Sequence, residues 1–591
     1  MSNNRRGIGR TFAKPKNRKY VIKRLAAYLK KFIVWFVVAF ILVLLSNVFS
    51  LLGPDILGKT IGAMGKEKID FVQIYKYAIM LIGFYVGSAI FSYLLSILMI
   101  KISKKIVYTL RKDAFEKLVY LKVNYFDTKQ TGDIISIISY DIDTLNTSLS
   151  SDLIHICTSA ITIIGSLLMM LRIAPVLVLV FLITIPISLL FTRFMLKRTH
   201  SLFKQRSKTL GELNGYVEEM ITGSKTIKAY GMEENIFEEF QVYNDTAVNT
   251  GYRAEYYGSI TGPGINFVNN LSMTLICIFG SILFISGNMT LETLSSFVLY
   301  SRKFSGPINE IANIFVDIQS AFAAAERVFM LIDEEMEKAD SEDAIELEEV
   351  DGDIRFKHVK FGYNKNKTII KNLSFKADAG KVIAIVGPTG AGKTTIINLL
   401  MRFYDIQDGD VTLDNLNIYD IKRTSLRKQY AMVLQGTWLF QGTVRENIAY
   451  GKKDATDEEI INAAKAAHIH NFIMRLPDQY DTILLEDGIN ISKGQKQLLT
   501  IARAMLLDSN LLILDEATSN VDTKTEVEIQ SAMKELMKDK TCFIIAHRLS
   551  TIQNADLILV VNNGNIIEKG THEELINNKG FYHELYYSQF L

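Results

Sequence analysis

Gly387-Pro388-Thr389-Gly390-Ala391-Gly392-Lys393-Thr394 decides how the second half of this chain is read. The octet fits G-x-x-x-x-G-K-[ST], follows the apolar run 382–386 and precedes a helical pattern over 395–403. Such a loop lets backbone N–H groups close around phosphate oxygens, with the positive end of a helix behind them. Lys393 is expected to neutralise β/γ-phosphate charge, the Thr394 hydroxyl to ligate Mg2+, and Thr395 to join the nucleotide-binding set. Farther along, Leu511-Leu512-Ile513-Leu514-Asp515-Glu516 is an apolar strand that delivers two adjacent carboxylates. Asp515 is expected to hold Mg2+ through water, and Glu516 to orient and deprotonate the attacking water of ATP hydrolysis.

Working outward, 591 residues are too many for one core, and most long apolar runs fall before residue 320. A net charge of +3 is close to balanced and excludes a bulk nucleic-acid binder. Positive charge is local instead: residues 1–31 carry Arg5, Arg6, Arg10, Lys14, Lys16, Arg18, Lys19, Lys23, Arg24, Lys30 and Lys31 with no acidic residue. They read as a solvated, partly disordered tail that orients the first span, with lipid-headgroup binding as the alternative. Cys157, Cys277 and Cys542 lack metal-ligand spacing and read as small core residues.

A bilayer core needs roughly 20 apolar residues of helix. Residues 32–52, 77–100, 153–171, 176–194 and 265–285 qualify, and 291–321 is a weaker sixth. Lysines after the second span place that loop, and both termini, in the cytoplasm. The two long inside loops read as helical extensions of the spans, 77–126 and 199–230, with their far turns at 127–133 and 231–234. Arg302 and Lys303 fall near mid-membrane, where a cation either lines a pathway or pairs, or else snorkels from a misplaced boundary. Pro263, Asn266, Asn269 and Asn270 raise the same question more weakly.

In order along the chain stand Phe361-Gly362-Tyr363, the phosphate loop, Gln435, Ile491-Ser492-Lys493-Gly494-Gln495, Ile501-Ala502-Arg503-Ala504, the Asp515-Glu516 strand, Asp522 and His547. This order resembles the ATP-binding cassette (ABC) family, and the membrane half is similar to exporters with six spans fused ahead of one cassette. Leu110-Arg111, Phe126-Asp127, Gly132-Asp133, Asp141 and Glu219 with Gly223 extend the resemblance, which covers residues 19–591. It implies an α-helical membrane domain of six transmembrane helices with long cytoplasmic extensions, followed by an α/β P-loop NTPase domain. The expected division is 1–31 basic segment, 32–325 transmembrane domain, 326–350 linker and 351–591 cassette.

The resemblance also implies roles. Tyr363 would stack on adenine, Gln435 would sense Mg2+ and the attacking water, and His547 would bind the γ-phosphate. Asp522 would reach across a dimer, and Glu486 would touch a stalk of the partner. Two cassettes would close head to tail, so Ser492, Gly494 and Gln495 would complete the partner's ATP site. The family has Leu-Ser-Gly-Gly-Gln there; this chain places Lys493 at the first glycine. The implied protein is a half-transporter in the cell membrane, of bacterial type, that exports a small amphipathic cargo using ATP and Mg2+ and pairs with a different half. A homodimeric exporter and an ATP-gated channel are the alternatives.

Overall fold

The computed structural model describes residues 17–590 apart from 66–68, 365–366, 435, 437, 486–487, 489, 516–521 and 546–551. The chain forms two units: Met1–Tyr120 with Lys129–Glu334, and Leu121–Thr128 with Glu335–Leu591.

The first unit is all helix. It comprises α1 (Arg18–Lys30), α2 (Ile33–Met64), α3 (Phe71–Val119), a rod from 131 to 173, α8 (Pro175–Thr222), α9 (Ser224–Tyr230), α10 (Glu233–Ile285) and α11 (Leu291–Ile332). The short α4 (Val123–Thr128) between α3 and the rod belongs to the second unit. Within the rod, π-helical turns at Ile137–Asp141 and Ser148–Asp152 separate α5 (Thr131–Ser136), α6 (Ile142–Thr147) and α7 (Leu153–Ile173). Among the described residues, five helices are long and apolar enough to cross a membrane: α2, α3, the rod, α8 and α10. The 42-residue α11 is not among them; Glu292, Arg302, Lys303 and Glu310 interrupt its apolar sequence. It runs on to Ile332, past the boundary expected at 325.

Four readings change. Residues 18–30 are a capped helix, not part of a solvated tail. The Asn17 side chain accepts from Tyr20 N at 3.2 Å, Arg24 pairs with Asp333 at 2.5 Å, and the Tyr28 hydroxyl donates to Asp113 at 2.6 Å. Those acids stand far off in sequence, so the all-basic local composition hides them. The first stalk helix ends at Val119 rather than 126, because Leu121 forms an isolated antiparallel bridge with Met336 and Lys122 pairs with Glu335 at 2.9 Å. Cys277 is exposed on α10 instead of being a core residue. The second stalk breaks at Gly223 and again at Gly231, whose φ of 61° closes α9 in the left-handed region before α10 begins.

The second unit is α/β apart from α4. Strands β1 (Ile354–Phe361), β2 (Ile370–Ala377), β4 (Asp408–Leu413) and β5 (Leu416–Asn417) make an antiparallel sheet of order β2-β1-β4-β5. A second sheet has the order β12-β11-β3-β10-β9-β6. Its members are β3 (Val382–Val386), β6 (Tyr430–Val433), β9 (Leu511–Asp515), β10 (Thr541–Ile545), β11 (Leu557–Asn562) and β12 (Asn565–Gly570). A small pair joins β7 (Gly442–Thr443) to β8 (Ile483–Leu484). The inner strands β3, β9 and β10 are parallel and covered on both faces, which is why they read as unbroken apolar runs rather than alternating ones. Cys542 lies inside β10, where burial pushes its thiol up to about 12. The phosphate loop leaves the C-terminal end of β3 and enters α12 (Lys393–Leu400), the position where open α/β sheets take their ligands.

Candidate functional site

The phosphate loop is held by backbone. Ala391 N donates to the Pro388 carbonyl at 3.2 Å, and Gly564 N donates to the Ala391 carbonyl at 3.1 Å. Glycine is structurally required at both ends of the loop. A Cβ on Gly387 would collide with the Val561 carbonyl oxygen, and Gly392 starts α12 at a φ of 110°. No side chain caps α12, so its first N–H groups remain turned to the loop, the arrangement that receives a phosphate. Lys393 folds back over this cradle, its Nζ 2.7 Å from the Gly387 carbonyl and 3.2 Å from that of Pro388. Burial lowers its pKa from the usual lysine value, and the nearby Asp515 carboxylate opposes that shift. Thr389, Gly390 and Thr394 are exposed around the loop, while Thr395 is buried beneath it.

Tyr363 stands beside this cradle. Its hydroxyl lies 3.2 Å from Thr395 Oγ1 and accepts from Asn398 Nδ2 at 3.3 Å, both on α12. Its ring meets Phe361 edge-on at 5.1 Å and Tyr404 edge-on at 4.9 Å. Sequence reasoning did not single out Tyr404; the run Phe403-Tyr404 directly after the phosphate-loop helix was the available signal.

Asp515 ends β9 in register with Ile545 of β10. Strand pairing thus brings it beside β10, from which the chain continues toward His547. Glu516, His547, Gln435 and Glu486 lie outside the described residues. The donor set that is described, an exposed threonine hydroxyl and a carboxylate, consists of hard oxygen ligands and suits Mg2+. Asp522 caps the helix Thr523–Met537, accepting from Thr525 N at 3.0 Å, and that backbone bond holds its carboxyl below the usual aspartate range.

The signature begins the helix Lys493–Leu507. Ser492 is its N-cap: Ser492 Oγ accepts from Gln495 N at 3.3 Å, and Ser492 N donates to Gln495 Oε1 at 2.9 Å. This reciprocal box satisfies donors at the helix start. Gly494 is buried, Gln495 is half-buried, and Lys493 occupies the first helical position, exposed. The helix is anchored by Arg503, which donates to the Asn447 carbonyl at 2.8 Å and lies over the Tyr450 ring.

In the membrane unit, Lys303 reaches back to α2. Pro54 sits inside α2 and has no N–H to give the Ser50 carbonyl, the acceptor four residues earlier. Lys303 Nζ supplies the missing donor at 2.7 Å and also bonds Ser50 Oγ at 2.5 Å. The buried Tyr300 hydroxyl donates to the next carbonyl, Leu51, at 2.6 Å. One of the two cations noted in this helix is therefore committed to a helix-helix contact, while Arg302 is exposed. A second polar tie joins α11 to the π-helical turn at Ile137–Asp141. The fully buried Asp141 accepts two bonds from Arg327, at 2.6 and 2.5 Å.

Comparison with known proteins agrees with this architecture. Residues 36–308 match the family described as ABC transporter transmembrane region, and residues 370–519 match the family described as ABC transporter. The uncharacterized ABC transporter ATP-binding protein YfiC of Bacillus subtilis is 43% identical over 580 residues, covering 98% of this chain and 96% of that protein. The fatty acid ABC transporter ATP-binding/permease protein of Mycobacterium bovis is 41% identical over 88% of this chain and 82% of its own. The solved structure of a bacterial Atm1-family ABC exporter with ATP bound superposes with a TM-score of 0.75 at 28% identity, covering 95% of this chain and 99% of that one. By sequence and by fold the chain belongs to the ABC transporter family, as an exporter-type half-transporter that fuses a multi-pass membrane region to an ATP-hydrolysing cassette.

Proposed function

We propose that this half-transporter exports an amphipathic cargo from a bacterial cell as one member of an unequal pair. The observation that carries the proposal is Lys493, an exposed cation at the first position of the signature helix, where the family pattern has glycine. In a head-to-tail dimer that helix start would face the partner's ATP. A long side chain there obstructs close backbone approach, and its ammonium binds phosphate oxygens as a freely rotating point charge rather than as fixed N–H groups. The partner's site is therefore slow or inert. The site on this chain's own phosphate loop is the competent one. Lys393 and the α12 N–H groups bind the phosphates, Tyr363 takes the adenine, and the partner's signature closes over them.

In that site Glu516 orients and deprotonates water, Gln435 senses it, and His547 binds the γ-phosphate. Mg2+ would be held by Thr394, Gln435 and, through water, Asp515, and would neutralise phosphate charge there. Asp522 would reach across the dimer, and Glu486 would touch a stalk of the partner. Closure on ATP draws the stalk helices together and opens the membrane cavity outward, and hydrolysis resets it. Both termini face the cytoplasm, and residues 1–31, 32–325, 326–350 and 351–591 act as basic segment, membrane domain, linker and cassette.

The cargo class follows two relatives. One is the mycobacterial fatty acid transporter, and the other is the ATP-dependent lipid A-core flippase of Syntrophus aciditrophicus, 34% identical over 84% of this chain. Both names point to lipid-like molecules. The test is ATPase activity of the purified chain, alone and with a second half-transporter encoded beside it. The chain alone should be slow and the pair fast, and Glu516→Gln should abolish turnover by the pair. Brisk, cargo-stimulated hydrolysis by the chain alone would sink the unequal pair and leave a homodimer.

A further inference from the structure

We propose that Arg427 is a positioning residue for the phosphate-loop helix, and that the linker carboxylate Glu337 sets where it holds. The stretch that leaves the last membrane helix thereby adjusts how the cassette grips ATP. This holds for an equal or an unequal pair, since the phosphate loop meets ATP in both. The helix α12 has only eight residues, about 12 Å of rise, and carries the cradle at its N-terminal end. A displacement of its other end therefore tilts the N–H groups that receive phosphate. The chain leaves α12 through Arg402 at a φ of 49°. There the Met401 carbonyl accepts from Arg427 Nε at 3.2 Å, and the Arg402 carbonyl accepts from Arg427 Nη2 at 2.9 Å. The same guanidinium lies 5.3 Å from the centre of the Phe403 ring. A cation also suits the negative end of the helix dipole.

The other side of the guanidinium grips the linker. Arg427 Nη2 donates to Glu337 Oε1 at 2.5 Å and Nη1 to Glu337 Oε2 at 3.2 Å, a two-pronged contact that fixes the plane of the group. Glu337 follows Ile332, the end of α11, by five positions, so chain continuity delivers a movement of that helix end to Glu337. Arg427 belongs to the short helix Arg423–Lys428, whose first N–H is taken by Asp340 Oδ2 at 2.9 Å. The buried Arg423 donates to the Lys338 carbonyl, and the buried Arg402 to the Ile418 and Ile421 carbonyls at 3.0 and 3.1 Å. Residues 337–340 are thus sewn to the cassette, yet the cluster is not saturated. Among the described residues, Arg402 Nε, Arg423 Nε and Asp340 Oδ1 are buried without a hydrogen bond. Unused buried donors and an unused acceptor leave room for a second bonding arrangement, which a fully paired network would resist. Of the two linker acids, Glu337 is the one that shares its arginine with the carbonyls ending α12. Asp340 serves the start of the neighbouring helix instead, and pairs more loosely with Arg402 and Arg423 at 3.5 Å.

Loss of a merely structural clamp would lower stability and leave ATP handling as it was. KM and kcat for ATP are therefore measured on the full chain in lipid nanodiscs, beside its thermal midpoint. Glu337→Gln keeps the shape and removes the charge. It should raise KM by about fivefold, the factor that one hydrogen bond commands, with kcat within about twofold of wild type. Arg427→Lys should do the same although it keeps the charge, because an ammonium cannot bridge two carbonyls and a carboxylate in one plane. The double variant should add little to either single one. Asp340→Asn is the control: it disturbs the same cluster without reaching α12, so the midpoint should fall while KM stays near wild type. By reciprocity, AMP-PNP should slow amide exchange over residues 338–344 by about fivefold in the wild type and not in Glu337→Gln. An unchanged KM in Glu337→Gln overturns the proposal, as does a wild-type linker that does not respond to AMP-PNP. So does an Asp340→Asn chain whose KM rises as far, since general loosening of the cluster would then explain the effect. Should Arg427→Lys fail to fold, Glu337→Gln decides alone.

Discussion

Two helix starts in one cassette make opposite use of the same physics. The helix α12 opens at a left-handed glycine with no side-chain cap, and Lys393 folds inward onto the loop's own carbonyls. The signature helix opens at Ser492 with a complete capping box, and its lysine points out into solvent. The first start leaves its donors to an anion and supplies the charge to hold it. The second satisfies its donors within the chain and adds a cation to the positive end of a helix dipole, where it is mildly unfavourable. A residue type alone therefore says little: Lys393 and Lys493 differ in function because one is folded into a cradle and the other is not.

The largest effect expected is at the cradle. Lys393→Ala should reduce ATP turnover by the assembled pair by about 100-fold or more, the scale on which one preorganised charge contact acts. Nucleotide-free thermal stability should not fall, because a half-buried, desolvated cation is removed. Turnover that stays above about a tenth of wild type would mean that the α12 N–H groups hold the phosphates unaided, and the contrast between the two lysines would lose its meaning.

Lys493→Gly tests the other side and should act in the opposite direction. In the chain alone it should raise ATPase activity by about tenfold, roughly 1.4 kcal/mol of better phosphate contact. Stability should stay near wild type, since removing a cation from a helix start gains about 0.3–1 kcal/mol and glycine costs a similar amount. A lone-chain rate that does not move would break the comparison by showing that the first glycine position is dispensable.

How much of this was legible depended on whether the signal was local. The phosphate loop, the β9 run and the five apolar helices announce themselves through spacing and composition. The polar α11 announced itself only weakly, because Lys303 serves the Ser50 carbonyl opened by Pro54 and Tyr300 serves the next one, Leu51, some 250 residues away in the chain. The first stalk's end was misplaced for a related reason: Val119 is a helix end because Leu121 pairs with Met336, and no local pattern carries that pairing. The π-helical turn that places Asp141 against Arg327 has no sequence signature either. Tyr404 is the case in between. Its aromatic type was visible, but Tyr404 and its partners Tyr363 and Asp127 stand on three segments that only the fold unites.

The smallest effect is also the cleanest test of the signature's self-sufficiency. Ser492 Oγ accepts the Gln495 N–H, yet a hydroxyl that accepts still has its own proton to give. Cap and phosphate clasp are therefore compatible uses of one atom, and the cap exists before nucleotide arrives. Ser492→Ala should cost about 1 kcal/mol, lowering the nucleotide-free thermal midpoint by about 2–4 °C for a domain of this size. Ser492→Thr should recover most of that loss, because threonine keeps the accepting oxygen. Thr394→Ala is the matched control at the other helix start. Its side chain is exposed and caps nothing, so the nucleotide-free midpoint should not move, while ATP-dependent stabilisation should shrink. If Thr394→Ala lowered the nucleotide-free midpoint as much as Ser492→Ala, the two helix starts would be equally self-capped, and the difference between them would have to be sought in Lys493 alone.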